Sequence, residues 1–226
     1  MGYIGLPTAA LLCSSGYKVS GVDIDERIVN MINSGEVHIH EPGLEKIVKS
    51  SIQKGILNVK KSPVKADIFI ICVPTPIESN KINPIPKPNL DYVYAAAESI
   101  AKVLEKGNLI VLESTSPVGT TKRIAELIEK KSGLSQTDFY LSYCPERVIP
   151  GDILNELIVN DRVIGGINQL SSERCRDFYE TFCKGSLLLC EASTAELVKL
   201  SENSYRDINI AFANELSMIC EQHDVN

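Results

Sequence analysis

The sequence predicts an α/β fold in which a doubly wound, mostly parallel sheet is followed by one long helix. Short apolar runs rich in β-branched residues alternate with amphipathic stretches over the first 190 residues, which is typical of repeated strand–helix–strand units. One run, 66–73, is almost continuously apolar, as expected of a strand that is buried on both faces. From 193 to 223 there is neither glycine nor proline, so a helix of about 30 residues, roughly 45 Å long, is expected there.

Each element follows from the same pattern. The apolar runs predict strands, in chain order, at 19–23, 66–73, 108–112, 139–143, 162–165 and 186–190. The amphipathic stretches predict helices at about 6–15, 25–34, 41–53, 91–105, 117–131 and 170–184. The proline-rich segment 77–90, which includes Pro84, predicts a loop inside the domain, because ordered patterns continue on both of its sides.

The last helix has a start signal of its own. Ser193-Thr-Ala-Glu196 fits a capping box, in which the serine and glutamate side chains bond to backbone amides at the start of the helix. A helix of this length is long for a globular domain. It therefore suggests a connector to a second domain or a dimer interface.

Composition narrows the classes of function. The 226 residues are 44% apolar and 23% charged, which supports a packed core. The net charge of −6 argues against a general nucleic-acid or membrane-surface binder. No apolar run approaches the roughly 20 residues of a membrane span, and no cleavable signal follows Met1, so a cytoplasmic location is expected. The seven widely spaced cysteines favour neither a disulfide framework nor a metal site.

The chain opens on a candidate dinucleotide-binding turn. Two glycines stand just before the first predicted helix and are similar to the second half of a Gly-x-Gly-x-x-Gly turn. The first would let a diphosphate approach the backbone, and the second would let helix and strand pack closely. The candidate cofactor-binding residues of this turn are Gly2, Tyr3, Ile4 and Gly5.

Asp23 strengthens this interpretation. It ends the next predicted strand, 18 residues after Gly5, where an acid accepts hydrogen bonds from the adenosine ribose. A carboxylate there also repels a 2′-phosphate, which favours NAD over NADP. Arg27, one helical turn further on, could offer a cation to the cofactor or be a solvated helix charge. An ordinary glycine turn with a strand-end acid would fit these residues as well.

The turn lies very close to Met1. A chain that begins there has no room for the first glycine or for the strand before it, and in a doubly wound sheet that strand is central. We therefore expect two neighbouring strands to lack a partner. We also expect the chain to be an amino-terminal fragment, or its start to be misplaced.

Hydroxyl side chains follow two of the predicted strands. Thr75 lies in Val73-Pro-Thr-Pro76, and Thr115 lies in Glu113-Ser-Thr-Ser-Pro-Val-Gly-Thr120. Because α/β sheets bind ligands at the carboxyl ends of their strands, both threonines could touch the nicotinamide side of a cofactor. The helix predicted from 117 would point its amino end into the same cleft. Plain turn and helix-cap chemistry would explain the same residues.

A charged loop follows another predicted strand, in Tyr143-Cys-Pro-Glu-Arg-Val148. Glu146 could act as a general base or position a water if its surroundings raise its pKa. Arg147 could pair with a phosphate or a carboxylate. A salt-bridged loop pair is the alternative.

The long helix carries a polar stripe. Lys199, Asn203 and Arg206 are spaced i, i+4, i+7 and therefore share one face. A lysine and an asparagine can jointly hold a substrate hydroxyl and stabilise the oxyanion that forms as hydride departs. A hydrated stripe at the edge of a helix interface is the alternative.

Five motifs in this order resemble the UDP-glucose/GDP-mannose dehydrogenase family across essentially the whole chain. They are Gly-Tyr-Ile-Gly-Leu-Pro-Thr-Ala, Val-Pro-Thr-Pro, Ser-Thr-Ser-Pro-Val-Gly-Thr, Cys-Pro-Glu-Arg-Val and Ala-Glu-Leu-Val-Lys-Leu-Ser-Glu-Asn-Ser-Tyr-Arg. The Pro-Glu-Arg loop and Asn160-Asp-Arg-Val-Ile-Gly-Gly166 look most like the branch that acts on UDP-N-acetyl-D-mannosamine. The UDP-glucose branch usually has a second glutamate where this sequence has Pro150, which argues against UDP-glucose.

The resemblance implies a fold, a cofactor and an activity. Residues 1–190 would form a Rossmann-like NAD-binding domain, and residues 191–226 would start a central helical domain that pairs subunits as a homodimer. The UDP-binding domain of the family is absent from the sequence. Members of the family oxidise the C6 alcohol of a UDP-sugar to a carboxylate with two NAD. Here the product would be UDP-N-acetyl-D-mannosaminuronate, a polysaccharide precursor, with no nucleic acid and no membrane as partner.

The resemblance also implies residue roles. Lys199 matches the family's catalytic lysine, and Asn203 matches its oxyanion-holding asparagine. The catalytic residues that position a water would be Thr115 and Glu146. The substrate contacts would be Arg147, Val148, Lys199, Asn203 and Arg206. The cofactor contacts beyond the glycine turn would be Asp23, Arg27, Thr75 and Thr115.

One motif of the family is missing from the sequence. The nucleophilic cysteine lies in a Gly-Gly-His-Cys motif downstream of the long helix, and no cysteine here, Cys144 included, has that context. Without a thiol the intermediate aldehyde cannot become a thiohemiacetal, so we expect this chain to be inactive alone. The alternatives are another UDP-sugar as substrate, a non-catalytic remnant that binds NAD or dimerises, and a β-hydroxyacid dehydrogenase, against which the Pro-Glu-Arg-Val segment argues.

Overall fold

Strands and helices alternate along the chain in the computed structural model, which describes residues 1–78 and 86–225. The strands are β1 (Val19–Val22), β2 (Leu57–Lys60), β3 (Ile68–Ile71), β4 (Ile77–Glu78), β5 (Lys87–Pro88), β6 (Leu109–Leu112), β7 (Tyr140–Tyr143), β8 (Arg162–Gly166) and β9 (Leu187–Glu191). The helices are α1 (Gly5–Ser14), α2 (Glu26–Asn33), α3 (Leu44–Gln53), α4 (Asp91–Ala101), α5 (Thr120–Ser132), α6 (Ile153–Val159), α7 (Gln169–Tyr179) and α8 (Ala192–Gln222). The predicted α/β alternation and the long last helix are confirmed.

The main sheet has five strands in the order β3-β6-β7-β8-β9. Neighbouring strands run parallel except β7 and β8, which are antiparallel. The prediction of a mostly parallel sheet is therefore confirmed. Strands β1 and β2 form a separate parallel pair. Within the described residues, β1 and β3 each keep one edge without a strand partner, as the sequence predicts for two strands that would flank a central one.

Helices cover both faces of the main sheet. Every position of β6 is buried, because Ile110 and Leu112 pack with residues of α4 and α5, whereas Leu109 and Val111 pack with residues of α1 and α7. This two-sided burial explains why the strand is apolar throughout. The loops that follow β3, β6 and β7 leave the same edge of the sheet, which is where ligands of such sheets bind.

Strand β2 and helix α6 were missed because neither carries a strong hydrophobic pattern. Strand β2 has only two apolar positions, Leu57 and Val59, and helix α6 has only seven residues, which is too few to show a clear hydrophobic period. A distant side chain holds the start of α6: the carboxylate of Glu41 accepts hydrogen bonds from the backbone N–H groups of Gly151 (3.1 Å) and Ile153 (2.7 Å). Such a contact leaves no local signal in the sequence.

The prediction of a plain loop at 77–90 is wrong at both of its ends. Ile77 pairs with Pro88 and Glu78 pairs with Lys87, so β4 and β5 form a short antiparallel pair. Two-residue strands lie below the length at which alternation can be recognised. The part of the prediction that rests on Pro84 lies outside the described residues.

The long helix starts one residue before its predicted position, but the predicted cap is wrong. No side chain caps the amino end of α8, so the capping box of Ser193 and Glu196 does not form. Glu196 instead accepts hydrogen bonds from the amino end of α5. Helix α8 lies close against β8, since a Cβ added at Gly165 would be 2.7 Å from Cα of Ala192 and 2.8 Å from Cβ of Ala195. No helix among residues 1–78 and 86–225 combines the length and apolarity needed to cross a membrane.

Candidate active site

The glycine turn lies against the carboxyl end of β3. Helix α1 begins at Gly5, and its N-cap residue Ile4 makes no side-chain hydrogen bond. A Cβ added at Gly2 would meet open space, and one added at Gly5 would lie at an ordinary van der Waals distance, 3.6 Å, from Cβ of Cys72. Tyr3 is exposed. The start of α1 therefore presents backbone N–H groups without a side-chain cap, which is the arrangement that binds a diphosphate.

Asp23 lies directly after β1, near this turn. Its carboxylate accepts hydrogen bonds from the amino group of Met1 (2.7 Å) and from the backbone N–H of Asp25 (2.9 Å). Arg27 donates two hydrogen bonds to the Asp25 carboxylate, at 3.2 and 2.7 Å. These bonds lower the pKa of Asp25 to about 2, so the two groups form an ionised pair. Arg27 is therefore a paired surface charge in this structure.

Thr75 and Thr115 lie in neighbouring loops, after β3 and β6, and both are half-buried. The hydroxyl of Ser114 donates a hydrogen bond to the carbonyl of Val73 (2.7 Å), which ties the two loops together. The following helix, α5, starts at Thr120 rather than near 117. Its amino end faces a carboxylate of α8, so the prediction that it opens into the cleft is wrong.

Lys199 points from α8 to the loop after β7. The residue is 9% exposed, and its Nζ donates a hydrogen bond to the backbone carbonyl of Glu146 at 2.6 Å. Burial lowers the pKa of the Lys199 amine, and the charges of Glu146 and Glu202 offset part of that effect. The structure thus brings two of the predicted catalytic residues together around a desolvated amine.

Both carboxylate oxygens of Glu146 are occupied. Oε1 accepts a hydrogen bond from the backbone N–H of Arg147 (2.8 Å), and Oε2 accepts one from the guanidinium of Arg162 (2.8 Å). The side chains of Arg162 and Glu146 are only 2% and 5% exposed. A carboxylate held in this way is suited to fixing the loop and the Lys199 amine, and less suited to acting as a free base.

A second buried acid lies behind this ion pair. Glu113 accepts hydrogen bonds from the hydroxyl of Tyr179 (2.6 Å) and the thiol of Cys72 (2.9 Å). Burial raises the pKa of the Glu113 carboxyl, and the negative charge of Glu146 raises it further. Arg162 links the two acids. Its guanidinium is bound to Glu146 and lies 4.6 Å from the centre of the ring of Tyr179, whose hydroxyl is bound to Glu113. Its positive charge opposes the rise in the pKa of Glu113.

This buried network joins the glycine turn to the lysine, and the sequence analysis assigned no role to its central members. The members missed are Cys72, Glu113, Arg162 and Tyr179. One signal could have revealed them: Arg162 stands in an otherwise apolar strand, and a charge at such a position is buried only with a partner.

Cys144 adjoins the Glu146 loop but belongs to the core. It is fully buried, and burial raises the pKa of its thiol to about 12. Because the thiolate is the nucleophilic form of cysteine, this residue is not suited to nucleophilic attack. Cys144 is thus a core residue, and the seven cysteines, all within the described residues, are free.

A cleft of about 710 Å³ lies between the Glu146 loop and α8. Arg147 and Arg206 line it, and Arg147 is bound there to the carboxylate of Glu202 and to the carbonyl of Asp161. The cleft is also lined by Asn160, Tyr205, Asn209, Ile210 and Ala213. Two of the predicted substrate contacts therefore share one cleft, and Asn203 is exposed on the same helix.

Val148 follows the charged pair and is half-buried, packed against the core cluster that contains Ile153 and Leu157. The side-chain amide of Asn160 donates a hydrogen bond to the carbonyl of Arg147 (3.0 Å). Together with the contacts of Glu41 at the start of α6, these interactions hold the whole loop from β7 to α6 in place.

Comparison with known proteins gives a consistent result. Residues 1–183 match the UDP-glucose/GDP-mannose dehydrogenase family, NAD binding domain, and residues 193–226 match the central domain of that family. The UDP-N-acetyl-D-mannosamine dehydrogenase of Campylobacter jejuni is 49% identical over 234 residues, which cover 100% of this chain and 56% of that protein. The enzyme of the same name from Methanococcus maripaludis strain C7 is 51% identical over 226 residues, or 100% and 51% of the two chains.

The fold comparison agrees with the sequence comparison. A solved structure of a UDP-D-ManNAc dehydrogenase from Pyrococcus horikoshii superposes with a TM-score of 0.93 at 42% identity, over 100% of this chain and 53% of that chain. The chain spans about half the length of the relatives that it matches. These matches agree with the turn, the loops and the lysine described above. The chain belongs to the UDP-glucose/GDP-mannose dehydrogenase family and contains its NAD-binding domain.

Proposed function

We propose that this chain forms the NAD-binding part of a nucleotide-sugar 6-dehydrogenase that oxidises the C6 alcohol of UDP-N-acetyl-D-mannosamine to a carboxylate, for polysaccharide precursors. The observation that carries the proposal is the buried amine of Lys199, held by the loop that follows β7. The names of the relatives support this sugar. Pro150, in place of a second glutamate, argues against UDP-glucose.

The residues at this edge of the sheet fit NAD. The uncapped start of α1 and the open space at Gly2 can accept its diphosphate. The carboxylate of Asp23 would accept hydrogen bonds from the adenosine ribose. Thr75 and Thr115 would border the nicotinamide. When bound, NAD supplies the hydride acceptor for the C6 carbon.

Lys199 would act on the oxygen of the C6 hydroxyl. Its amine is desolvated, so a hydrogen bond to a developing oxyanion is stronger there than in water. Asn203 stands one helical turn further along the same face and can donate to the same oxygen. The carbonyl of Glu146 fixes the amine, and Glu146 and Thr115 would orient a water for the second oxidation.

The cleft beside α8 is the proposed seat of the UDP-sugar. The guanidinium groups of Arg147 and Arg206 border it and suit a diphosphate or a sugar carbonyl. Glu202 already pairs with Arg147, so a bound anion would compete with that carboxylate. Val148 would supply an apolar contact beside these charges.

We propose that the NAD-binding domain spans 1–190 and that 191–226 starts the central domain, where α8 pairs two copies of the chain. The second half of α8 exposes large apolar side chains, among them Tyr205, Ile208 and Phe212, each at least 67% exposed. Sedimentation equilibrium is expected to give twice the 24.8 kDa mass of one chain. Phe212→Glu is expected to shift the protein to monomer, whereas Glu215→Gln on the same helix stays dimeric. A monomeric parent protein would contradict this proposal.

The cofactor proposal is tested by the preference for NADH over NADPH. Asp23→Ala is expected to weaken NADH binding about tenfold, the scale for losing hydrogen bonds to a charged group. The same change should bring the NADPH affinity closer to the NADH affinity, because the repulsion of the 2′-phosphate is gone. Fluorescence titration gives both dissociation constants, with exposed Asp177→Ala as the control. Unchanged selectivity would remove Asp23 from the cofactor site.

A further inference from the structure

The carboxylate of Glu196 occupies the amino end of a helix that is remote in sequence. Oε1 accepts hydrogen bonds from the backbone N–H of Thr121 (2.8 Å) and from its hydroxyl (2.6 Å), and Oε2 accepts one from the backbone N–H of Gly119 (2.6 Å). Glu196 is completely buried. A buried carboxylate is destabilising unless hydrogen bonds compensate for its lost hydration. These three bonds are therefore a required part of the packing of α8 on α5.

Helix α5 has no cap of its own. Its N-cap residue is Gly119, which has a φ of 90° and no side chain, so the first N–H groups of α5 need an external acceptor. A negative charge at this end also interacts favourably with the helix dipole. Glu196 meets both requirements from a different helix, whereas most helices use a side chain just before their first turn.

The three hydrogen bonds that Glu196 accepts, here called the Glu196 clamp, hold the end of the segment 114–119. This segment contains Thr115. The hydroxyl of Ser116 donates a hydrogen bond to the carbonyl of Ser114 (2.9 Å), and the hydroxyl of Thr120 donates one to the carbonyl of Pro117 (2.7 Å). The segment is thus anchored to β6 at its start, tied within itself, and held by Glu196 at its end. Any shift of the start of α5 would move Thr115.

The carboxylate of the clamp belongs to α8, the helix that also carries the Lys199 amine. Glu196 and Lys199 are three residues apart on α8, where residues at this spacing are neighbours on one surface. The charges that act most strongly on the Lys199 amine are those of Glu146, Glu202, Arg147 and Arg206. We therefore expect Glu196 to affect the Lys199 amine by fixing the position of α8 and not by its charge.

We propose that Glu196 is a positioning residue that sets the Thr115 segment, and with it the nicotinamide end of bound NAD, at a fixed place relative to Lys199. This inference rests on the NAD site proposed above. It goes beyond that site by assigning a role to a side chain that touches neither cofactor nor substrate. Among the described residues, the glycine turn and Asp23, which would hold the adenosine end, donate no hydrogen bond to Glu196.

The test compares two ligands that share the adenosine diphosphate end. Isothermal titration measures the dissociation constants of NADH and of ADP-ribose, which lacks the nicotinamide, for the parent chain, Glu196→Ala and Glu196→Gln. Glu196→Ala is expected to weaken NADH about tenfold, the scale for losing a hydrogen bond at the nicotinamide end when the Thr115 segment moves, and to weaken ADP-ribose less than about twofold. Glu196→Gln keeps one oxygen for Thr121, so its dissociation constant for NADH should lie between those of the parent chain and Glu196→Ala.

A control substitution away from Glu196 distinguishes a specific change in ligand binding from a general loss of stability. The buried hydroxyl of Ser172 accepts a hydrogen bond from the backbone N–H of Gly166 (2.8 Å), and Ser172→Ala is expected to lower Tm while leaving the ratio of the two dissociation constants unchanged. An unchanged ratio in Glu196→Ala would overturn the inference, and so would an unchanged ratio in Glu196→Gln if the alanine variant does not fold. A parent chain that binds neither ligand would instead overturn the NAD site itself.

Discussion

Replacement of Lys199 by alanine is expected to lower kcat by at least about 100-fold, the scale for losing a group that stabilises charge or transfers a proton in the transition state. The amine is buried and held by the Glu146 carbonyl, so its loss removes a fixed hydrogen-bond donor from the site. NADH release from UDP-N-acetyl-D-mannosamine measures the effect in the longest natural polypeptide that contains this chain. The exposed Lys184→Ala is the control. A rate near the parent value would exclude Lys199 from catalysis.

The pH dependence of the rate gives a second reading of the same substitution. If Lys199 stabilises the oxyanion as a cation, the rate falls as the pH rises through the pKa of the amine. Burial lowers that pKa, so the alkaline fall should lie below the ordinary lysine range. In Lys199→Ala this fall should disappear from the residual rate. The same fall in both proteins would assign it to another group.

Replacement of Arg162 by leucine is expected to lower the free energy of unfolding by about 3–5 kcal/mol, because it leaves a buried carboxylate without its partner. The guanidinium serves Glu146 directly and also opposes the rise in the pKa of Glu113. Urea denaturation measures the change. The control is Arg176→Leu, which breaks an exposed pair with Asp177 and should cost less than about 1 kcal/mol. Equal effects of the two substitutions would contradict the assigned importance of the buried pair.

The Arg162 substitution should also depend on pH, with a definite sign. Without the guanidinium, the folded-state pKa of Glu113 rises further above that of the unfolded chain, because the charge of Arg162 no longer opposes the effect of burial. A raised carboxyl pKa means that the folded state binds more protons, so stability falls as the pH rises from the unfolded pKa to the folded one. The deficit of Arg162→Leu should therefore be smallest in acid and grow toward neutral pH. A deficit independent of pH would show that the lost stability is a matter of packing alone.

Local patterns were sufficient for the main elements of the fold. Strands β3 and β6 could be predicted from their apolar runs, because helices cover both faces of the sheet that contains them. Helix α8 could be predicted because it extends over many turns without glycine or proline. Strand β2 was missed because it has only two apolar positions, and helix α6 because its seven residues are too few for a clear period. The order β3-β6-β7-β8-β9 and the antiparallel step at β8 are set by packing, to which no single segment of the sequence is sensitive.

The candidate site shows the same division. Asp23, Thr75, Thr115 and Glu146 could be proposed because strand ends are where parallel sheets bind ligands, and Lys199 because of its helix motif. The partners of these residues could not be found in this way. Glu196 fits a capping box in the sequence, yet it caps a helix 75 residues earlier in the chain. The strand pattern gives Arg162 no role, because the two acids near it, Glu113 and Glu146, lie in loops that follow other strands.

The most direct test of the proposed site is a crystal structure of the chain with NAD. The diphosphate is expected at the amino end of α1, with the adenosine ribose at Asp23. The nicotinamide ring is expected beside Thr115, and Nζ of Lys199 should face it with room between them for one sugar carbon and its oxygen. A dinucleotide bound at another edge of the sheet, or a Lys199 amine turned away from the nicotinamide, would contradict the proposal.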